Sequence, residues 1–189
     1  AGRHEPESKT KEAKEYKRAA IIPESDFDRL LAAFNGGYKA THGDYGMMVD
    51  GVTLMPPRAL SCVVAKLKDD GSLLIRDWDA VKDREGEMLW WRQTPHCMYD
   101  LGEPHVALSM PKLGWGASAV SGTTVIRRSA IGLNEARTIL YVGIGDHVTA
   151  KAIAEGMVHA GSHSVAQLDV NFSCPKFLTY KWADQAARK

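Results

Sequence analysis

The chain has 189 residues, of which 44% are hydrophobic and 25% charged, a composition typical of one globular domain. Lys and Arg total 24 against 23 for Asp and Glu, so the net charge is +1. This balance argues against nucleic acid as a partner, because nucleic-acid binders usually gather a basic excess on one face. The longest apolar runs, such as residues 30–34, exclude a membrane-spanning helix, and no signal peptide is recognised at the start of the sequence.

The N-terminal part predicts little packed structure. Residues 1–22 carry charges of both signs without an apolar stripe, which predicts an exposed arm or loop, and residues 23–189 are predicted to form a single domain. Pro23 followed by acidic residues is typical of a helix start, but the apolar residues after it fit a helix or a strand equally well. Asn35-Gly36-Gly37 ends this element in either case.

The middle of the chain is predicted to be β-structure. Asp50-Gly51 indicates a hairpin, and residues 61–67 and 72–75 are expected to pair across a turn at Gly71. Residues 77–86 are charged and predict a loop, whereas residues 87–93 predict a buried strand that contains Trp90 and Trp91. Residues 100–116 predict a long irregular connection.

The last third predicts a strand–helix–strand unit. Strands are expected over residues 124–133, 137–143 and 164–171, and a helix from an N-cap at Thr149 to His159, with Gly161 as its stop. Asp169, Asn171 and Ser173 would share one side of the last strand, because side chains alternate along a strand. The fold class predicted is α+β, a mixed or mainly antiparallel sheet with a few helices packed on one side.

Several familiar sites are absent from the sequence. Cys62, Cys97 and Cys174 lack metal-ligand spacing and allow at most one disulfide; buried free thiols are the favoured interpretation, and the compartment stays open. Gly143 and Gly145 lack the third glycine of a dinucleotide fingerprint. No metal site and no cofactor are therefore expected.

Trp90 and Trp91 fit sugar stacking, although one of two adjacent aromatics in a strand usually lies in the core.

Polar residues at the ends of the predicted elements are the candidate binding residues. The backbone of Asn35, Gly36 and Gly37 can face an anion, and Lys39 and His42 follow within a few residues. One of Arg127 and Arg128 must point to the covered face of its strand, where it needs an anionic partner. Asp146 at a helix start and Asp169 within an apolar strand are site candidates, and an internal Arg–Asp ion pair is the alternative interpretation.

Four segments in a fixed order resemble one family, the phosphodiester glycosidase domain, over about residues 30–180. They are the Asn35-Gly36-Gly37 motif with its aromatic neighbour, residues 128–132 (RSAIG), residues 145–161 with their helix and glycine, and Leu168-Asp169. The resemblance implies an extracytoplasmic domain that acts on a sugar phosphate or glycan, as in bacterial exopolysaccharide biosynthesis. Members of that family usually carry further strands before the Asn-Gly-Gly motif, so this sequence is expected to lack the N-terminal strands of the domain.

One departure from the family pattern affects the expected function. The family has a glycine run after Leu-Asp, whereas this chain keeps Asp169 and Ser173 but places Val170, Asn171 and Phe172 there, residues that continue a strand. The departure indicates either a divergent branch with its own substrate or a closed pocket without activity. A non-catalytic carbohydrate-binding or phosphoglycan-binding domain, or a structural domain of a cell-surface protein, are the alternatives to an enzyme.

The resemblance implies hydrolysis of a sugar-1-phosphodiester, with each candidate residue in a stated role. Lys39, Arg128 and the amides of Gly36 and Gly37 would hold the phosphodiester, with Asn35, Arg127, Asn171 and Ser173 as further binding residues. Asp169 would act as base or nucleophile, Asp146 would orient a hydroxyl or water, and His42 would serve as an acid. One carboxylate suffices in this scheme because a phosphate leaving group hardly needs a proton.

Overall fold

The structure, a computed structural model, describes residues 10–16, 22–110, 115, 125–170 and 175–180. Its strands form two five-stranded sheets and a small two-stranded sheet, and every strand pair among these residues is antiparallel. Sheet I has the order β3 (Val52–Met55), β2 (Met47–Val49), β6 (Met88–Thr94), β4 (Cys62–Leu67), β5 (Leu73–Asp77). Sheet II has the order β10 (Leu140–Val148), β9 (Ile126–Leu133), β11 (Ser164–Gln167), β7 (Cys97–Asp100), β8 (Glu103–Pro104). The small sheet pairs β1 (Ala32–Phe34) with β12 (Phe177–Thr179).

The two large sheets pack face to face, and this layer is the centre of the fold. The alternation of side chains along β4 and β9 turns apolar residues of both sheets toward each other. The buried residues between the sheets are Cys62, Val64, Ile75, Cys97, Ile131, Leu133, Ala166 and Leu168. A disulfide between Cys62 on β4 and Cys97 on β7 links the sheets across this layer.

Helices cover the outer face of each sheet. The helix α3 (Ala150–His159) packs on sheet II with Ile153, Ala154 and Met157 as its buried stripe. The short α2 (Trp78–Val81) continues into a 3-10 helix (Lys82–Glu87) and packs on sheet I, where Trp78 contacts Trp91. The predicted α+β class with mainly antiparallel strands is confirmed, but the helices lie on both outer faces rather than on one side.

The strand–helix–strand unit has the predicted order with β9 inserted between its two strands. Both β10 and β11 pair antiparallel with β9, so they run parallel to each other on either side of it. Thr149 is the N-cap of α3, since its hydroxyl accepts a hydrogen bond from the amide of Ala152 at 3.0 Å. Gly161 follows the helix end with φ of +113°, a backbone conformation that favours glycine.

Four predictions from the sequence need correction. Lys11–Glu15 form a helical turn, α1, with Ala13 buried, because Thr10 caps it and also donates to the carbonyl of Thr53 on β3. Residues 78–87 are helical, with Asp77 as the N-cap. Residues 97–109 contain β7, β8 and a 3-10 helix (Val106–Ser109) rather than an irregular connection throughout. The strand predicted over residues 164–171 ends at Gln167.

Two further predictions have mixed outcomes. The residues after Pro23 form a 3-10 helix (Glu24–Arg29) followed by β1, so the segment is in part helical and in part extended. The favoured interpretation of buried free thiols is wrong for Cys62 and Cys97, which form the one disulfide that the sequence allowed; Cys174 lies outside the described residues. Both predicted hairpins are confirmed, at Asp50-Gly51 and at Gly71. No described helix is both long enough and apolar enough to span a membrane.

The inter-sheet disulfide predicts a measurable loss of stability on its removal. The bond joins cysteines 35 residues apart, and a closed loop of this length contributes about 3–4 kcal/mol in the chain-entropy account. We expect Cys62→Ala/Cys97→Ala to lower the free energy of unfolding by about that amount in urea denaturation. Reduced wild-type protein should match the double variant, and equal stability of all three samples would contradict the link.

Candidate functional site

The loop that follows β1 is tied to the segment that follows β11. The side-chain amide of Asn35 donates to the hydroxyl of Ser129 at 2.8 Å and to the carbonyl of Asp169 at 3.3 Å, and its oxygen accepts from the amide of Lys176 at 3.2 Å. The hydroxyl of Ser129 also donates to the carbonyl of Asp169 at 2.9 Å, and the amide of Asp169 donates to the carbonyl of Gly36 at 3.1 Å. The predicted Asn-Gly-Gly and Leu-Asp motifs therefore meet.

Arg128 lies on the covered face of sheet II with a side chain that is almost wholly buried. Its exposed fraction is 1%, and the guanidinium donates to the carbonyl of Val148 at 3.1 Å, the carbonyl of Trp115 at 2.7 Å and Oε1 of Gln167 at 3.2 Å. Burial lowers the pKa of this guanidinium below its usual range. Arg128 also lines a cavity of about 300 Å³ next to Thr149 at the start of α3. Three of its acceptors are thus oxygens of the protein itself.

Tyr38 connects the loop to this buried guanidinium. Gln167, which is fully buried, donates from its side-chain amide to the hydroxyl of Tyr38. Burial raises the pKa of Tyr38 well above its usual range, the positive charge of Arg128 opposes that rise, and the negative charge of Asp169 adds to it. The phenol hydroxyl is therefore close to both charges. Sequence reasoning included Tyr38 only as the aromatic neighbour of the Asn-Gly-Gly motif and gave it no role. It missed Gln167, although a glutamine in an apolar strand was an available signal.

A cavity of about 450 Å³ opens beside the same loop. Its walls are Gly36–Ala40, Met47–Val49 and Trp90–Arg92. Lys39 is exposed there, and its ammonium makes no hydrogen bond or ion pair with the described residues. Trp91 is 1% exposed and donates to Glu85 at 3.1 Å, whereas Trp90 is only half-buried. The cavity thus offers a cation without a described partner and part of one aromatic ring.

The two glycines of the loop differ in what the fold demands of them. A Cβ added at Gly36 would meet no atom within 4 Å, and its φ lies outside the left-handed region, so neither packing nor backbone conformation requires glycine there. A Cβ at Gly37 would lie 3.4 Å from Cγ2 of Thr94. Gly36 therefore leaves its backbone open to the cavity at a position where a side chain would be sterically possible.

Several predicted residues are not joined to this cluster. Asp146 pairs with Arg127 at 3.1 Å on the end of the edge strand β10, and its side chain is 51% exposed; the Arg127 hydrogen bond lowers the pKa of that carboxyl. Among the described residues, Asp146 bonds only Arg127 and His147. His42 lies in an exposed turn with no side-chain hydrogen bond to the described part of the chain. Asn171 and Ser173 lie outside the described residues.

A stacked histidine pair contacts Trp115, whose carbonyl accepts from Arg128, and this pair was not found from the sequence. The rings of His96 and His105 stack with centroids 4.3 Å apart, and both meet the indole of Trp115 edge-on. Burial, followed by the proximity of His96, lowers the pKa of His105. Among the described residues no group of three or more metal-ligating side chains occurs, so this pair is not part of such a cluster.

Comparison with known proteins adds a likeness of structure. No protein-family model matches the sequence, and no curated protein does. The fold is similar to that of the zebrafish N-acetylglucosamine-1-phosphodiester alpha-N-acetylglucosaminidase catalytic domain, auto-inhibited by its pro-peptide, with a TM-score of 0.57 and 15% identity. The match covers 80% of this chain and 54% of that one, so this chain spans about half of that domain's length. At this identity the likeness establishes the fold.

The junction at Asn35 predicts energetic coupling between the two motifs. We expect Asn35→Ala and Ser129→Ala each to lower the free energy of unfolding by about 1–3 kcal/mol, because each leaves a polar partner unsatisfied. The double variant should cost about 1 kcal/mol less than the sum, as measured in a double-mutant cycle by urea denaturation.

A matched control for this cycle is the exposed hydrogen bond between Asn134 and Thr138, which spans 3.1 Å. The same cycle with Asn134→Ala and Thr138→Ala should give a smaller coupling energy, because water replaces the lost partner there. Additive effects at Asn35 and Ser129 would show that the junction does not contribute as a unit.

Proposed function

We propose that this chain hydrolyses a sugar-1-phosphodiester linkage in a surface glycan or glycoconjugate. The observation that carries the proposal is the loop from Asn35 to Lys39. One end of the loop is bonded to Ser129 and Asp169, and the other end lines the cavity of about 450 Å³. The fold likeness to a catalytic domain that is named for a sugar phosphodiester supports the same class of reaction.

The cavity has the groups that such a ligand needs. A phosphodiester carries one negative charge, and Lys39 is a cation without a described ion-pair partner at the cavity wall. The backbone at Gly36 and Gly37 lets a phosphate oxygen approach the amides closely. The half-buried ring of Trp90 offers an apolar surface for a sugar face. In this proposal Arg128 positions the site through its carbonyl contacts rather than touching the ligand.

The proposed reaction uses Asp169 as the base or nucleophile. In the base form, the carboxylate takes a proton from water, the water oxygen bonds to the anomeric carbon, and the bond from that carbon to the phosphate oxygen breaks. The phosphate monoester leaves with the bonding electron pair, and the sugar is released with a free anomeric hydroxyl. Asp169 is 4% exposed and close to Tyr38, so the scheme requires a water molecule to reach a largely buried carboxylate.

A second candidate function is a non-catalytic domain that binds carbohydrate or phosphoglycan. It is favoured by the burial of Asp169, which does not line the cavity that holds Lys39 and Trp90. A ligand seated against those two side chains would then be bound without a carboxylate at its anomeric carbon. Binding of a glycosyl phosphonate analogue together with the absence of product from the matching phosphodiester would favour this candidate.

We also propose that the protein works in an oxidising compartment, such as the periplasm or the extracellular space. The Cys62–Cys97 disulfide supports this, because disulfides persist in such compartments and are rare in the cytosol. The test is to purify the protein from periplasmic and cytosolic fractions and to measure the Cys62–Cys97 linked peptide by mass spectrometry without reduction. We expect the linked peptide in the periplasmic sample.

The proposed activity is tested with a chromogenic glycosyl phosphodiester. We expect Asp169→Asn to lower kcat by about 10²–10⁴, since it removes the proposed base, and Lys39→Gln to lower kcat/KM by about tenfold through lost charge pairing. Lys82→Gln is the matched control, because Lys82 pairs with Asp79 on the exposed surface. Turnover by folded Asp169→Asn at the control's rate would overturn the role of Asp169.

A substitution at Gly36 is expected to lower activity without lowering the free energy of unfolding. We expect Gly36→Ala to keep or raise the free energy of unfolding, by at most about 1 kcal/mol, because the added methyl meets no atom. It should lower kcat/KM at least about tenfold, because the methyl takes up space beside the backbone that the phosphate must approach.

Gly156→Ala is the control for that substitution. Gly156 is exposed within α3 and a Cβ there also meets no atom within 4 Å, so alanine should stabilise the helix by about 1 kcal/mol and leave turnover unchanged. Unaltered kcat/KM in Gly36→Ala would contradict the proposed approach of the ligand to this loop.

A further inference from the structure

A second cleft lies at the other end of β9 from the Asn35 junction. Ser129 and Leu133 are four residues apart on that strand, a separation of roughly 14 Å. The cleft, of about 270 Å³, forms where β5, the β7–β8 turn, the β9–β10 hairpin and the connection from α3 to β11 meet. Four basic side chains line it, from four different parts of the chain: Arg76, Arg84, Arg137 and His163. Glu135 is the one carboxylate in the described lining.

Arg76 is the most buried of these cations and is held in one orientation. Its side chain is 26% exposed, and Nε donates to Oδ1 of Asp100 at 2.8 Å. The other oxygen of Asp100 accepts from the amide of Asp77 at 3.3 Å, which fixes the carboxylate in turn. The two terminal amino groups of Arg76 donate no hydrogen bond to the described residues. A largely desolvated guanidinium thus keeps donors for a further acceptor.

The two remaining arginines bring their charge from the rim of the cleft. Arg84 donates from Nε and Nη2 to one oxygen of Glu87, at 2.9 Å and 2.6 Å, and is exposed. Arg137 sits on the hairpin with φ of +56° and makes no ion pair with the described residues. Its charge is close enough to help lower the pKa of Asp70, although hydrogen bonds from Ser72 are the larger cause.

The carboxylates near this cleft pair with two of its three arginines. Asp100 and Glu87 offset the charges of Arg76 and Arg84 from positions outside the cleft lining. The capacity of the cleft for an anion therefore rests on the terminal donors of Arg76 and on Arg137, which makes no ion pair with the described residues. The backbone under His163 is fixed, because its amide donates to Leu133 and its carbonyl accepts from Gly102, both at 2.7 Å.

We propose that this cleft binds a multiply charged oxyanion of the phosphate class, either free or as a phosphate ester on a sugar. Guanidinium groups match phosphate geometry with paired donors, and a partly buried guanidinium loses less of that interaction to solvent. A phosphate monoester has three terminal oxygens, so it can accept from the remaining donors of Arg76 and from Arg137 at the same time. The cleft site does not depend on the proposed hydrolytic activity.

Calorimetric titration at constant ionic strength tests the cleft with pyrophosphate as the probe. We expect one-site binding by the wild-type chain and at least about tenfold weaker binding by Arg84→Gln/Arg137→Gln, which removes exposed side chains only. Glu135→Gln should tighten binding a few-fold, because it removes the opposing charge. Arg29→Gln is the matched control, since Arg29 is 79% exposed and pairs with Asp26 outside the cleft.

The outcomes separate the cleft from the candidate active site and distinguish the sources of the anion. Hydrolysis of the glycosyl phosphodiester, where present, should be unchanged in the cleft variants. Glucose 6-phosphate binding more tightly than inorganic phosphate would identify a phosphorylated sugar as the ligand, whereas equal affinity would identify the free anion. The proposal is overturned if the wild-type chain binds none of these anions, or if the double variant binds pyrophosphate as the control does.

Discussion

The burial of Arg128 is the constraint on which the rest of the site depends. A guanidinium that is 1% exposed must have its donors satisfied, because an unpaired buried charge costs several kcal/mol. The carbonyls of Val148 and Trp115 and the side chain of Gln167 accept three of these hydrogen bonds, from three separate parts of the chain. Gln167 in turn engages Tyr38, so one buried charge sets the position of the loop that lines the larger cavity.

A buried or half-buried arginine lies near each end of β9, and the two arginines differ in how their donors are used. At the Arg128 end, the protein supplies acceptors for the cation and buries it beside the start of α3. At the hairpin end, Arg76 is oriented by Asp100 but keeps its terminal donors at the cleft. A buried cation with protein acceptors supports the architecture, whereas an oriented cation with remaining donors is prepared for a ligand.

Local signals account for most of what the sequence predicted correctly. The turns at Asp50-Gly51 and Gly71 and the N-cap Thr149 depend on neighbouring residues only, and the strands and helix beside them form as expected. Alternation also explains why one arginine of Arg127 and Arg128 is buried. The strand order is non-local, so β9 between β10 and β11 was not predictable from periodicity.

The errors share a physical reason, since each involves contacts between residues far apart in the chain. Cys62 meets Cys97 only because the two large sheets pack face to face. The charged segment after Asp77 becomes helical with only Trp78 and Val81 of α2 buried. These two side chains pack on the apolar outer face of sheet I, a contact that the local sequence does not reveal. Asp146 pairs with Arg127 at the bulged end of an edge strand, a feature that alternation along a single strand does not reveal.

The segment after Asp169 lacks the glycine run of the family that the sequence resembles, and this difference has a physical consequence. Val170 is 8% exposed, so the residue that stands in the run contributes to packing instead of leaving backbone open. Gly36, by contrast, has open space where a Cβ would lie, on the other partner of the Asn35–Asp169 junction. Of the two segments that meet at this junction, the loop from Asn35 to Lys39 is the one whose backbone lies open at the larger cavity. Under the proposed function a ligand would therefore approach from the glycine side, with Asp169 reached across the junction rather than along its own segment.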